Sequence, residues 1–223
     1  MIFSRNKCRG LDEQLQQLQD EQPELFGMTS SQRMTHGGTT GALFFMLFIE
    51  SERLAAKIRS HVFVDAGCGV GHLGRAVLDQ FGENTTYWGF DISQARVDVA
   101  NANFARDAEL DVSKRGRARA DVIDMTTAVD EAAKWSALIH DKCFIYFNNI
   151  NMIGEVNECF ERIVIQYACA GTIVMAYERM FLGDRASYVD LVKTAAVDVG
   201  EDDFTWRRSA GTMNIYIYRV LRK

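Results

Sequence analysis

The sequence predicts an α/β fold built on a doubly wound, mostly parallel sheet, and two observations support this. From residue 61 onward, short apolar runs typical of buried strands alternate with stretches of helical periodicity. The alternation ends near residue 200, where two further strand patterns are joined by a short turn that contains glycine. Five strand–helix units and a terminal antiparallel hairpin together predict a seven-stranded sheet.

The same patterns place each element of this sheet. Strands are expected at 61–66, 86–92, 117–124, 142–148 and 171–178. The helices that follow them are expected at 72–81, 93–106, 126–139, 154–168 and 185–196. The two strands of the hairpin are expected at 202–208 and 213–222.

Upstream of the sheet, the chain has a helical character. Leucines at helical spacing follow residue 10, and a threonine-capped apolar stretch covers 39–58. The polar, glycine-bearing stretch 26–40 between them is predicted to be a loop. We therefore divide the chain into an N-terminal helical extension, residues 1–58, and an α/β domain, residues 59–223.

Composition excludes several classes of function. A net charge of −5 and a pI near 5.4 are not typical of a protein that holds nucleic acid by bulk charge. The five cysteines form no CxxC pair, so no metal site is predicted, and their odd number favours a reducing intracellular compartment. The longest apolar run, 42–49, is far shorter than the ~18 residues of a membrane helix.

The stretch after the first strand indicates a ligand site. It reads D-x-G-x-G-x-G from Asp65 to Gly71, and glycines at this point let a ligand approach the backbone. The dinucleotide pattern G-x-G-x-x-G is broken because His72 stands where its third glycine belongs. A carboxylate beside the loop favours the α-ammonium of S-adenosylmethionine (SAM) and repels a pyrophosphate. The alternative is a tight turn that binds no ligand.

Acids also end the next two predicted strands. Asp91 follows the loop at about the ~20 residues expected for an acid that binds ribose hydroxyls. Asp124 and Met125 end the third strand, where an acid and an apolar side chain suit an adenine. An N-cap of the following helix is the alternative for Asp91, and Asp124 fits such a cap equally well. Together the three strand ends predict SAM as the cofactor, with S-adenosylhomocysteine as the product.

The fourth predicted strand and the residues after it limit the possible classes of methyl acceptor. The chain has no proline after Pro23, which excludes the N/D-P-P-Y/F motif of enzymes that methylate base nitrogens or glutamine amides. The stretch "FIYFNNINMIGEVNECFERIVIQYACAGTIV", the motif "DAGCGVGH", the loop "MTHGGTTG", and Trp206 followed by "NIYIY" resemble the Dot (disruptor of telomeric silencing) family of histone lysine methyltransferases. These enzymes lack a SET domain and have the class I, Rossmann-like methyltransferase fold.

The resemblance implies a methyl transfer from SAM to a lysine in the globular part of a nucleosomal histone, in the nucleus and by a monomer. It also implies a loop before residue 58 that covers the cofactor. Weak DNA contact is implied through Lys114, Arg115, Arg117 and Arg119. The implied catalytic residues are Asn148, Trp206, Met152 and Thr39. The implied cofactor contacts are Asp65, Gly67, Gly69, Gly71, His72, Asp91, Asp124, Met125 and Asn148.

Other interpretations of the same residues stay open. The asparagine pair also fits a strand-to-loop turn, and Trp206 also fits simple core packing. The basic run from Lys114 to Arg119 also fits an ordinary solvent-exposed surface. The acidic balance favours a class I methyltransferase for a small molecule or a non-histone protein, and a SAM-binding module without catalysis is a third possibility.

Overall fold

The computed structural model describes residues 61–81, 83–127, 130–139, 143–149, 154–199 and 211–221, together with Leu54, Ile58 and Met152. Of the predicted extension, only Leu54 and Ile58 are described, and both are helical and buried. The predicted strand 202–208, Thr39 and Trp206 lie outside the described residues. No helix in the described part of the chain is long and apolar enough to cross a membrane.

The strands and helices alternate as predicted over most of the domain. The strands are β1 Val62–Ala66, β2 Thr86–Asp91, β3 Ala118–Val122, β4 Cys143–Phe147, β5 Ile173–Ala176, β6 Val189–Val199 and β7 Gly211–Val220. The helices are α1 His72–Phe81, α2 Gln94–Leu110, α3 Ala132–Leu138 and α4 Gly154–Tyr167, with 3₁₀ helices at Val112–Lys114 and Gly183–Tyr188.

The seven strands form one sheet in the order β3-β2-β1-β4-β5-β7-β6. The first five strands are parallel, while β7 is antiparallel to both β5 and β6. The predicted seven-stranded sheet with its antiparallel hairpin is therefore confirmed. Strand order reverses between β1 and β4, and ligands of such sheets bind where this reversal occurs, beyond the carboxyl ends of the strands.

Helices cover both faces of the sheet. On one face, Phe63 of β1 packs with residues of α1 and α2 such as Val77 and Phe104. On the other, Val64 packs with Trp135 of α3 and with side chains of α4. The alternation of Phe63 and Val64 between the two faces explains why β1 is apolar at consecutive positions.

One predicted element is wrong. The stretch 185–196, predicted to be a helix, forms the end of a 3₁₀ helix and the first part of β6. Its apolar residues fit a helical period, but Val189 and Val192 are β-branched, and β7 supplies a hydrogen-bonded partner strand. Asp190 and Arg219 face each other across this pair, with a 2.6 Å contact between carboxylate and guanidinium.

Candidate functional site

A loop of three glycines follows β1 at the carboxyl edge of the sheet. Gly67, Gly69 and Gly71 have φ of 80°, 55° and 81°, a region that other residues adopt only with strain. Gly71 has a second constraint, because a Cβ atom there would lie 2.7 Å from Cζ of Phe104 on α2. The loop is therefore fixed both by its backbone conformation and by its close approach to α2.

The N–H groups at the start of the loop are engaged within the protein. Those of Gly67 and Cys68 both donate to the Phe90 carbonyl oxygen, each at 2.9 Å. That of Gly69 donates to Oδ2 of Asp91 at 3.1 Å. This part of the loop thus offers a ligand bare backbone surface at the glycines, and its donors hold the loop against the end of β2.

Asp65, the acid that precedes the glycines, is almost fully buried, with 3 % of its surface exposed. The Tyr87 hydroxyl donates to its Oδ2 at 2.6 Å. In the described ranges no basic side chain forms a salt bridge with it. Burial raises the pKa of this carboxyl to about 7, the hydrogen bond from Tyr87 lowers it, and the neighbouring Asp91 raises it.

Asp91, at the end of β2, connects three elements. Its Oδ2 accepts from the Gly69 N–H, while its Oδ1 accepts from the Ser93 N–H at 2.9 Å and lies 3.5 Å from the buried guanidinium of Arg96. The N-cap of α2 is Ser93 rather than Asp91, because the Ser93 hydroxyl accepts from the Arg96 N–H. A carboxylate has about four acceptor positions, so these three contacts leave one for a ligand hydroxyl.

The third strand end lies beside the second. The Ile123 N–H donates to the Asp91 carbonyl oxygen at 2.9 Å. The Asp124 carboxylate accepts from the backbone N–H and the hydroxyl of Thr126 at 2.9 and 2.7 Å, so it caps the following turn. Met125 is buried in the core cluster that contains Trp135. The structure thus shows the turn-capping role for Asp124, and that carboxylate keeps acceptor capacity for a ligand.

The asparagine pair follows β4, which is the neighbour of β1 in the sheet. Asn148 is half-buried, whereas Asn149 is fully buried. The Met152 N–H donates to the Asn149 carbonyl oxygen at 3.1 Å and closes a turn. The methyl group of Met152 lies beside the glycine loop, since its Cε atom would be 3.4 Å from a Cβ atom added to Gly67. The structure therefore brings Met152 to the glycine loop, next to the strand end that carries Asn148.

His72 begins α1 directly after the last glycine. Its Nε2 atom is buried and has no hydrogen-bond partner. Burial lowers the pKa of this imidazole to about 4, so the ring is neutral at physiological pH. A neutral imidazole and the N–H groups of a helix N-terminus are both suited to an anionic or polar ligand group.

The basic run lies at the other edge of the sheet. It occupies the 3₁₀ helix and the start of β3, whereas the site lies beyond the strand's carboxyl end. Lys114 forms an ion pair with Asp79, Arg117 donates to the Thr85 carbonyl oxygen, and the Arg119 guanidinium stacks 3.5 Å above the Trp88 ring. These side chains thus lie near the amino end of β3, away from the glycine loop.

Three residues of the site were not predicted from the sequence. Tyr87, Arg96 and Asn149 each partner a predicted residue or its neighbour, through contacts that span elements. Asn149 was noted as the second member of the asparagine pair. Tyr87 had a signal as well, because a buried acid such as Asp65 requires a hydroxyl or amide donor nearby.

Comparison with known proteins found neither a matching family model nor a matching curated protein. Solved structures do resemble the chain. A candidate RNA methyltransferase from Pyrococcus horikoshii is 14% identical, with 99% of this chain and 100% of that chain covered and a TM-score of 0.59. The magnesium protoporphyrin IX methyltransferase of Synechocystis with bound SAM is 14% identical, over 96% and 97%, with a TM-score of 0.53. An RNA methyltransferase from Salinibacter ruber, in complex with S-adenosylhomocysteine, is 16% identical over 80% and 92%, with a TM-score of 0.50.

The chain has the class I methyltransferase fold. At these identities the likeness concerns the fold alone. The prediction of a Dot-family enzyme is wrong: the three similar structures named above are RNA and small-molecule methyltransferases, not histone enzymes.

The features behind that resemblance have more general causes. The glycine loop and the tyrosine-rich last strand, β7, are parts of the class I sheet itself. Asn149, the second asparagine of the pair, is a fully buried structural residue. The expectations of a histone partner and of nuclear location depended on the resemblance and have no other support.

Proposed function

We propose that the chain is a SAM-dependent methyltransferase whose methyl acceptor is a small molecule. The observation that carries this proposal is the arrangement at the carboxyl edge of the class I sheet. A loop of three positive-φ glycines lies there between two buried acids, Asp65 and Asp91, and the strand end that carries Asn148. Bare backbone flanked by carboxylates suits a ligand with a cationic amine and ribose hydroxyls.

The residues at this edge fit the polar groups of SAM. The Asp65 carboxylate, which has no basic partner among the described residues, fits the α-ammonium. The unpartnered Nε2 of His72, with the proton on that nitrogen, fits the carboxylate of the cofactor at the N-terminus of α1. The remaining acceptor position of Asp91 fits a ribose hydroxyl. Bound SAM supplies an electrophilic methyl group on a sulfonium.

The protein's own contribution to the reaction is mainly positioning. Asn148 is neutral and half-buried, so its amide can orient a nucleophile without adding a charge that would hold an amine protonated. Met152 places an apolar side chain against Gly67 and excludes water from that part of the site. Holding acceptor and methyl group in line supplies much of the rate in such reactions.

Charge favours a small acceptor over RNA. The net charge is −5, and the basic run that was expected to touch nucleic acid lies at the opposite edge of the sheet with its side chains engaged locally. RNA is the second candidate, because two of the similar structures are described as RNA methyltransferases.

Two measurements test the proposal. Isothermal titration calorimetry of SAM and S-adenosylhomocysteine against the wild type, Asp65→Asn and the exposed-acid control Glu109→Gln tests the site, and we expect loss of affinity only in Asp65→Asn. Methyl transfer from labelled SAM to a protein-free metabolite extract, to total RNA and to a protein fraction then identifies the acceptor. Label in the metabolite fraction supports the proposal, label in RNA supports the second candidate, and failure to bind SAM refutes both.

A further inference from the structure

A fully buried asparagine holds the chain segment that follows β5. Oδ1 of Asn149 accepts from the N–H groups of Tyr177 and Glu178, at 3.0 and 2.9 Å. These two donors fix the orientation of the amide, because a flipped amide would set its own N–H groups against them. The side chain therefore joins the end of β4 to the end of β5.

The other half of the same amide is unsatisfied. Nδ2 of Asn149 is buried and has no hydrogen-bond partner in the structure. A buried donor left without an acceptor costs about 1–3 kcal/mol, and proteins rarely accept this cost without a reason. Functional sites are where such exceptions are expected.

The position of Asn149 supplies a reason. It is the next residue after Asn148, and its carbonyl oxygen closes the turn that places Met152 on Gly67. The unsatisfied donor thus belongs to the turn that borders the proposed methyl-transfer site. Tyr177, whose backbone it holds, is itself buried, and its hydroxyl accepts from that of Tyr146 at 3.1 Å.

We propose that Nδ2 of Asn149 donates a hydrogen bond to the methyl-accepting substrate. The substrate then presents a lone pair, such as a carbonyl oxygen or a ring nitrogen, close to the atom that is methylated. A simple alkylammonium does not fit, because it has no lone pair to accept the bond. This inference rests on the proposed function and specifies its substrate class. Because Nδ2 is covered in the free protein, the proposed bond requires that substrate binding expose this atom.

The isosteric variant Asn149→Asp separates a ligand-binding role from loop anchoring. Aspartate keeps an oxygen for the Tyr177 and Glu178 N–H groups, but it replaces the Nδ2 donor with a second acceptor. Asn149→Ala removes both functions, and Asn214→Asp, at an exposed position of β7, is the matched control. The acceptor used is the fraction that the wild type labels with methyl from SAM.

We expect Asn149→Asp to bind SAM with wild-type affinity while kcat/KM for the acceptor falls roughly 10- to 100-fold. Its melting temperature should fall, because the variant buries a carboxyl group that has no cationic partner. Asn214→Asp should be unchanged. Wild-type kcat/KM in Asn149→Asp would overturn the inference and leave Asn149 as a loop anchor. If Asn149→Asp does not fold, the side-chain ¹⁵N–¹H₂ signals of wild-type Asn149 decide: the inference requires a shift on acceptor binding to the SAH-bound protein.

Identification of the labelled product by mass spectrometry adds an independent test. A methylated alkylamine without a neighbouring lone pair would refute the substrate class while leaving the methyltransferase proposal intact. A wild type that binds no SAM refutes the proposed function first, and the two failures are thereby distinguished.

Discussion

Replacement of Asp65 by asparagine should stabilise the protein and weaken its cofactor binding. The amide has the same shape and still accepts the Tyr87 hydroxyl, but it carries no charge into the buried site. The pKa of Asp65 is about 7 instead of 3.8. Each pKa unit corresponds to ~1.36 kcal/mol, so the ionised carboxylate lowers the free energy of unfolding by at most about 4 kcal/mol.

The sign of the pH dependence follows from the direction of this pKa. The folded protein binds a proton at Asp65 between pH 3.8 and about 7, where the unfolded chain has already released it. The stabilising contribution of this proton is complete below pH 3.8 and is lost as the pH rises through about 7. The gain in unfolding free energy in Asp65→Asn should therefore grow over this range and level off near pH 8.

Cofactor binding should depend on pH in the opposite sense. The α-ammonium pairs with the ionised form of Asp65, of which only about one tenth is present at pH 6. The SAM affinity of the wild type should rise several-fold between pH 6 and 7.5, with release of a proton, and Asp65→Asn should lack this dependence. Urea denaturation and calorimetry in buffers of different ionisation enthalpy measure the two effects.

Two results would refute this reasoning. One is a loss of stability in Asp65→Asn at pH 8 that resembles an ordinary core substitution. The other is a SAM affinity of the wild type that is independent of pH between 6 and 7.5. The variant Glu109→Gln, which neutralises an exposed acid on α2, should leave both quantities unchanged.

Three further variants test the geometry of the site. Tyr87→Phe removes a bond that lowers the pKa of Asp65, so SAM should bind several-fold more weakly at pH 7 by calorimetry; unchanged affinity would contradict this. Gly71→Ala forces a Cβ atom to within 2.7 Å of an aromatic carbon on α2 and should cost about 2–4 kcal/mol in urea denaturation. Its control, Gly154→Ala, meets no atom within 4 Å and should change stability little; an equal loss would refute the argument. Arg96→Met leaves a buried carboxylate without its cation and should cost about 3–5 kcal/mol; a neutral effect would mean that the pair is dispensable.

The sequence predicted most of the fold because local pattern and tertiary environment agree there. Helix α1 has the predicted bounds, and the parallel strands differ from their predicted bounds by no more than two residues at either end. The prediction of a helix at 185–196 was wrong because the spacing of its apolar residues fits both a helical period and the alternation of a strand. Pairing with β7, which no local pattern reports, decides in favour of β6.

The residues of the site that follow strands β1 and β2 could be predicted from the sequence, whereas their partners on other elements could not. Asp65, Asp91 and the glycines follow from their order after strands β1 and β2, because parallel strands bring their carboxyl ends to one edge. The pairing of Arg96 with Asp91 could not be predicted, because an arginine on another face of the same helix would be exposed to solvent. Asn149 was noted only as part of the asparagine pair, because its hydrogen bonds to Tyr177 and Glu178 depend on where β5 ends.

The failure of the family resemblance has the same physical origin. Of the matching stretches, "MTHGGTTG" and Trp206 lie outside the described residues, whereas the glycine loop, the apolar β4 and the final strand β7 are parts of the class I sheet. Such residues are constrained by the backbone path and the cofactor, so they carry little information on the acceptor. Substrate choice depends instead on the residues that border the methyl-transfer site, of which Asn148, Asn149 and Met152 are described. The buried amide of Asn149 is such a residue, because its oxygen anchors the segment after β5 while its nitrogen has no hydrogen-bond partner.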